Sequence, residues 1–136
     1  MADGKRLQRL HRVRTLQLNL ARADEARARE QVTSEQQLSH RIAQLAAAVA
    51  PQPALVPGAA HLAAAAHFRE RLHRSADAAV ERVRTAEMNA DRRSQAARAA
   101  HRDQSAVEKL IDRHRAELIR AEMKALEDAP VPARRR

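Results

Sequence analysis

From Ala59 to Asp128 the chain contains neither proline nor glycine. Within that stretch small and apolar residues return at alternating spacings of three and four: Leu72, Ala76, Ala79, Val83, Ala86, Ala90, then Ala97, Ala100, Val107, Ile111, Leu118, Ala121 and Ala125. This is a heptad seam, narrower than the stripe of a globular helix. At about 1.5 Å per residue such a helix is on the order of 100 Å long. A rod of that length has to lie along another helix.

The composition excludes most alternatives. Tryptophan, tyrosine and cysteine are absent, Phe68 is the only aromatic, and alanine supplies much of the 44% hydrophobic fraction. A compact core built from that material is thin, whereas Ala, Glu, Arg and Leu in quantity suit a coiled coil. Without cysteine there is no disulfide framework and no thiolate metal site, which is compatible with a reducing compartment. The N-terminus is basic but has no apolar core followed by a small-residue cleavage site, so no secretory signal is expected. The uncharged run around Ile42 to Phe68 is interrupted by Pro51, Pro53, Pro57 and Gly58, which argues against a membrane span.

The expected fold class is all-α: two long helices forming an antiparallel coiled-coil hairpin with a C-terminal helix overhang. Helix 1 is placed at about 5–50 with Asp3 as its N-cap, the proline-rich turn at 51–58, helix 2 at about 59–128, and a disordered basic tail at 129–136. Proline lacks the amide proton and its ring clashes with the preceding helical turn, so no straight helix passes the 51–58 cluster. A short loop between two helices packs them as a hairpin. Helix 1 offers Leu38, Ile42, Leu45 and Val49 as its seam, while Leu7, Leu10, Val13, Leu16, Leu18 and Leu20 spread over more than one face. Pairing outward from the loop sets Leu7 near His101 and leaves about Gln104 to Asp128 without an intramolecular partner. That overhang carries Val107, Leu110, Ile111, Leu118, Ile119, Met123 and Leu126. Exposed apolar surface of this kind marks a contact with something else; self-association and docking of a bent N-terminal segment are the alternatives.

The formal charge of +9 and a pI near 11.5 favour acidic partners. Along most of the chain, however, the positive residues alternate with Glu and Asp, which reads as solvated helix faces. Only the ends are unbalanced, with Lys5, Arg6, Arg9, Arg12 and Arg14 at one and Arg134 to Arg136 at the other. No dense basic helix is coupled to a separate zipper, and there are no aromatics for base stacking, so no specific nucleic-acid role is expected.

Nothing in the chain points to catalysis, a cofactor or a small-molecule substrate. The histidines at 11, 40, 61, 67, 73, 101 and 114 include no pair three or four apart, so no metal site is expected. Two glycines cannot build a phosphate loop, and no serine is flanked by glycines. Phe68 and Leu72 lie four apart beside Arg69, Arg71 and Arg74. They read either as a docking knob or as a cap on the coil, with Phe68 against Leu45 or Ile42.

Two segments resemble the FliJ family, the small coiled-coil stalk proteins of the flagellar type III export ATPase, with injectisome relatives of the YscO type. One is Ala106-Val-Glu-Lys-Leu-Ile-Asp-Arg-His-Arg-Ala-Glu, continuing to Arg120-Ala-Glu-Met-Lys-Ala-Leu-Glu-Asp-Ala129. The other is Arg6-Leu-Gln-Arg-Leu-His-Arg-Val-Arg, leading to Ala23-Asp-Glu-Ala26. The resemblance implies a hairpin similar to the γ subunit of rotary ATP synthases, its joined termini entering the hexameric export ATPase. Val107, Leu110, Ile111, Leu118, Ile119 and Met123 would then be the residues gripped by the ring. It implies a second contact, with the cytoplasmic domain of the export gate, through Phe68, Leu72 and Ser75; Ala79 stands where the family has histidine. Export chaperones are further implied partners. The implied location is cytoplasmic, peripheral on the inner membrane. The alternatives are a general coiled-coil scaffold and a basic rod that binds nucleic acid or an anionic membrane.

Overall fold

The computed structural model describes residues 2–49 and 58–133, and the chain is an all-α helical hairpin. Helix α1 spans Ala2–Ala48 and helix α2 spans Ala59–Glu127. No strand occurs among the described residues. Prolines 51, 53 and 57 and the arginines at 134–136 lie outside the described residues, and with them most of the expected turn and the end of the expected tail. No helix among the described residues is long and apolar enough to cross a membrane.

Local chemistry accounts for the helix ends. Asp3 was expected to cap α1; it lies instead inside the first turn, where its carboxylate favours the positive end of the helix dipole. The last helical bond near Ala48 is Val49 N–H to the Leu45 carbonyl at 3.2 Å. Gly58 stands just before α2, its carbonyl accepting from the amides of His61 at 2.9 Å and Leu62 at 3.2 Å. At the far end the Asp128 amide donates to the Lys124 carbonyl at 2.9 Å. Pro130 cannot extend that ladder, and the positive charge of Lys124 in the last turn suits the C-terminal dipole.

The chain falls into two compact units, residues 21–96 and residues 1–20 with 97–136. In the first, partners on α1 rise in number as those on α2 fall, so the segments are antiparallel. Arg93 lies 3.7 Å from Asp24, and Arg82 lies 3.4 Å from Glu35. Ala28, Ala79 and Ala86 are buried there, and the half-buried positions Val32, Glu35, Ser39, Ile42, Ala46 and Val49 continue the three-four rhythm on α1. Leu38 and Leu45 therefore do not form the seam as expected; both are exposed. Two candidate seams share Ile42 and Val49, and the one through the smaller Ser39 and Ala46 faces α2. Glu35 enters this alanine-rich contact as a carboxylate. Its Oε1 accepts from Gln31 at 3.1 Å, but its buried Oε2 has no hydrogen-bond donor and relies on the Arg82 guanidinium as an ion pair. Outward, Arg74 to Glu70 and Arg84 to Glu81 are ion pairs one turn apart, each contributing a few tenths of a kcal/mol.

In the second unit Leu18, Ala97 and Val107 are buried. The pairing is fixed by His11 to Glu108 at 3.2 Å, Arg14 to Asp103 at 3.3 Å, and a Gln104 amide donating to Thr15 Oγ1 at 3.1 Å. This register corrects two expectations. Leu7 lies with Ile111 and His114 on one groove, not near His101. The stretch from Gln104 to His114 is covered by the opening turns of α1, so the unpartnered part of α2 is shorter than expected. From Arg115 onward every described residue is exposed, including Leu118, Ala121 and Ala125 of the expected seam.

Gly4 belongs to this pairing. A methyl group there would meet the His114 ring at 3.4 Å, an ordinary van der Waals contact, and no left-handed backbone requires glycine. Gly4→Ala is therefore expected to stabilise the start of α1 by about 0.5–1 kcal/mol. Hydrogen exchange of the first turns is expected to slow; faster exchange would mean that His114 needs the space.

Candidate functional site

Surfaces that α2 leaves exposed are what this molecule offers a partner. Two open grooves near the start of α1 line the helix pairing, and no group of three metal-ligating side chains occurs among the described residues.

On the C-terminal part of α2 the six residues expected to meet a partner divide. Val107 is 5% exposed and Ile111 is half-buried, because α1 reaches far enough to cover them; both belong to the intramolecular seam. Leu110, Leu118, Ile119 and Met123 are exposed. Their phase matters as much as their exposure. Val107, Ile111 and His114 continue on the same face as Leu118, whereas Ala116, Ile119, Met123 and Leu126 are spaced three, four and three apart on a neighbouring face. This second stripe begins where the cover from α1 stops. Leu126, 73% exposed and expected in the apolar overhang, belongs to it, as does Ala116, which was not singled out. The signal available was a change of heptad phase between His114 and Ala116, which a wide apolar stripe conceals. The groove of about 460 Å³ at the start of α1 runs from Leu7, Ile111 and His114 to Leu118 and Glu122.

At the other end of α2, Phe68 is 52% exposed and Ser75 is exposed, while Leu72 is half-buried. Phe68 therefore does not act as a closed cap on the coil. Ala79 is fully buried in the helix pairing at 0% exposure. A residue there cannot join an exposed row, so the available row is Phe68, the outer edge of Leu72, and Ser75. The aliphatic and aromatic edges sit beside Arg71 and Arg74, whose guanidinium groups remain accessible.

What these surfaces present is apolar side chains framed by charge. No known protein family, curated protein or solved structure matches the chain.

Proposed function

We propose that the chain is a non-catalytic coupling stalk of a type III protein export apparatus of the flagellar kind, linking a hexameric export ATPase to the cytoplasmic domain of the export gate. The observation that carries this reading is the exposed helical end after His114, with Leu118, Ile119 and Met123 projecting from a segment otherwise built for pairing. A bare amphipathic helix end supported by a paired base suits insertion into the opening of a ring. Phe68, Leu72 and Ser75 would meet the gate domain, and exposure of Phe68 agrees with that assignment. The stalk acts at the cytoplasmic face of the membrane, and export chaperones are further partners.

The test is reconstitution of the purified full chain with a flagellar export ATPase hexamer and, separately, with the gate's cytoplasmic domain, read by gel filtration with light scattering. A complex with each is expected, the ring taking a single chain. Failure to bind either overturns the proposal and leaves a coiled-coil scaffold of another system.

A further inference from the structure

The opening turns of α1 are held on α2 far more loosely than the rest of the helix. Leu18 is the first described residue of α1 to be fully buried, and of the leucines before it only Leu7 is half-buried. Leu7 lines a groove of about 460 Å³ with Ile111, His114 and Leu118, and a second groove of about 310 Å³ lies between Gln8, His11, Arg12 and Glu108, Ile111, Asp112. Side chains around an open groove lack packing partners on one side and gain less from the contact. The inner clasp is His11 with Glu108 at 3.2 Å, an exposed pair, and exposed pairs hold little. The segment also repels itself. Lys5 and Arg9, Arg6 and Arg9, and Arg9 and Arg12 are like charges one turn apart, which weakens a helix. None of the four is in an ion pair among the described residues. Gly4 adds backbone freedom in the same turns. Beyond His11 the hold tightens, with Arg14 on Asp103, Gln104 on Thr15 and then Leu18.

What these turns cover is the root of the bare end of α2. Ile111 and His114 are half-buried beneath them and run on, at spacings of three and four, to the exposed Leu118, Ala121 and Ala125. We propose that residues 2–11 of α1 are an autoinhibitory strap: it opens as a unit at the His11–Glu108 clasp, with the contacts around Arg14 and Leu18 as its fixed end. Opening uncovers Ile111 and His114 and so lengthens the free seam from Leu118–Ala125 to Ile111–Ala125, about two more turns. Few apolar contacts are lost in the process, which is what places a segment at the low end of local stability. A partner that needs the longer seam binds only the open fraction, and its apparent affinity falls by that fraction. The opening is a property of the chain alone; that the strap regulates ring binding rests on the stalk reading.

The test has two arms. In the first, amide hydrogen exchange of the full chain alone is expected to be at least about ten-fold faster at residues 6–11 than at residues 18–28, with one common rate of opening across 6–11. Glu108→Gln is expected to speed exchange at 6–11 by about two- to five-fold and to leave 18–28 unchanged. Equal protection of the two segments overturns the proposal. So does a gradient that falls off turn by turn from Ala2 and ignores Glu108→Gln, because that is fraying of a helix end. In the second arm Gln8→Cys and Arg115→Cys, which line the same grooves in a chain without other cysteines, are joined by a short bismaleimide. The joined chain is expected to bind the export ATPase ring about ten-fold less tightly than the same variant unjoined; equal affinity removes the autoinhibitory role. Failure of the wild-type chain to bind the ring would count against the stalk reading, while the exchange arm still decides whether the strap opens.

Discussion

Leu18→Asp is expected to separate the N-terminal part of α1 from α2, whereas Leu16→Asp, two residues earlier, leaves the pairing intact. Leu18 is 3% exposed and Leu16 is 63% exposed; both are leucines on the same helix, and only their phase distinguishes them. Removing a buried leucine side chain costs about 2–5 kcal/mol, and a carboxylate placed there without a partner adds the penalty of an unpaired charge. Arg14 lies four residues away but already pairs with Asp103 at 3.3 Å. A total of about 3–5 kcal/mol is therefore expected for Leu18→Asp, within the 2–5 kcal/mol of such deletions plus part of the charge cost. That is a large fraction of the 5–15 kcal/mol typical of a folded domain. For an exposed substitution such as Leu16→Asp the change should stay within about 0.5 kcal/mol. Urea unfolding followed at the helical circular dichroism minimum measures both. Equal shifts in the two variants would mean that α1 presents a different face to α2 than the one found.

The helices themselves were legible from sequence, because a run free of proline and glycine with a three-four rhythm admits few other structures. From Leu72 to Ile111 on α2 every expected seam position is buried or half-buried, joined by Ser94, Ala99, Gln104 and Ser105, which the rhythm did not include. Register was not legible, and the reason is the composition of the seam. Where Ala28, Ala79, Ala86 and Ala97 line the contact, sliding one helix past another by a heptad exchanges one methyl for another at little cost. Polar partners then fix what the alanines leave open: His11 with Glu108, Arg14 with Asp103 and Thr15 with Gln104 in one unit, Glu35 with Arg82 and Asp24 with Arg93 in the other. Sequence alone offers many such charge pairs and does not rank them. Counting outward from the prolines assumed a symmetric turn, which is why Leu7 was expected near His101 and the free end of α2 was expected to begin near Gln104. The same degeneracy explains Leu38 and Leu45. They satisfy a heptad through Ile42 and Val49 as well as Ser39 and Ala46 do, and only the second helix decides between them.

That shortened free end makes the functional reading sharper. Ile119→Asp combined with Met123→Asp is expected to abolish association with the export ATPase ring while leaving helix content and the urea midpoint unchanged. The two side chains are 59% and 57% exposed and contribute nothing to the pairing with α1. On the proposed contact they would be anchors, each costing about 2 kcal/mol or more when lost, so the affinity should fall by at least about a thousand-fold for the pair. Val107→Asp would also prevent association, but by a different route. Val107 is buried against α1, and its loss should appear first as a lowered urea midpoint. Comparing the two variants separates a docking surface from a structural seam, which binding data on either variant alone do not. Normal ring binding by the Ile119→Asp, Met123→Asp variant, alongside intact wild-type binding, would exclude this stripe as the gripped surface. The contact would then have to lie on the face shared by Leu118 and Ala125, in line with the intramolecular seam, and α2 would meet the ring as a direct continuation of its pairing with α1.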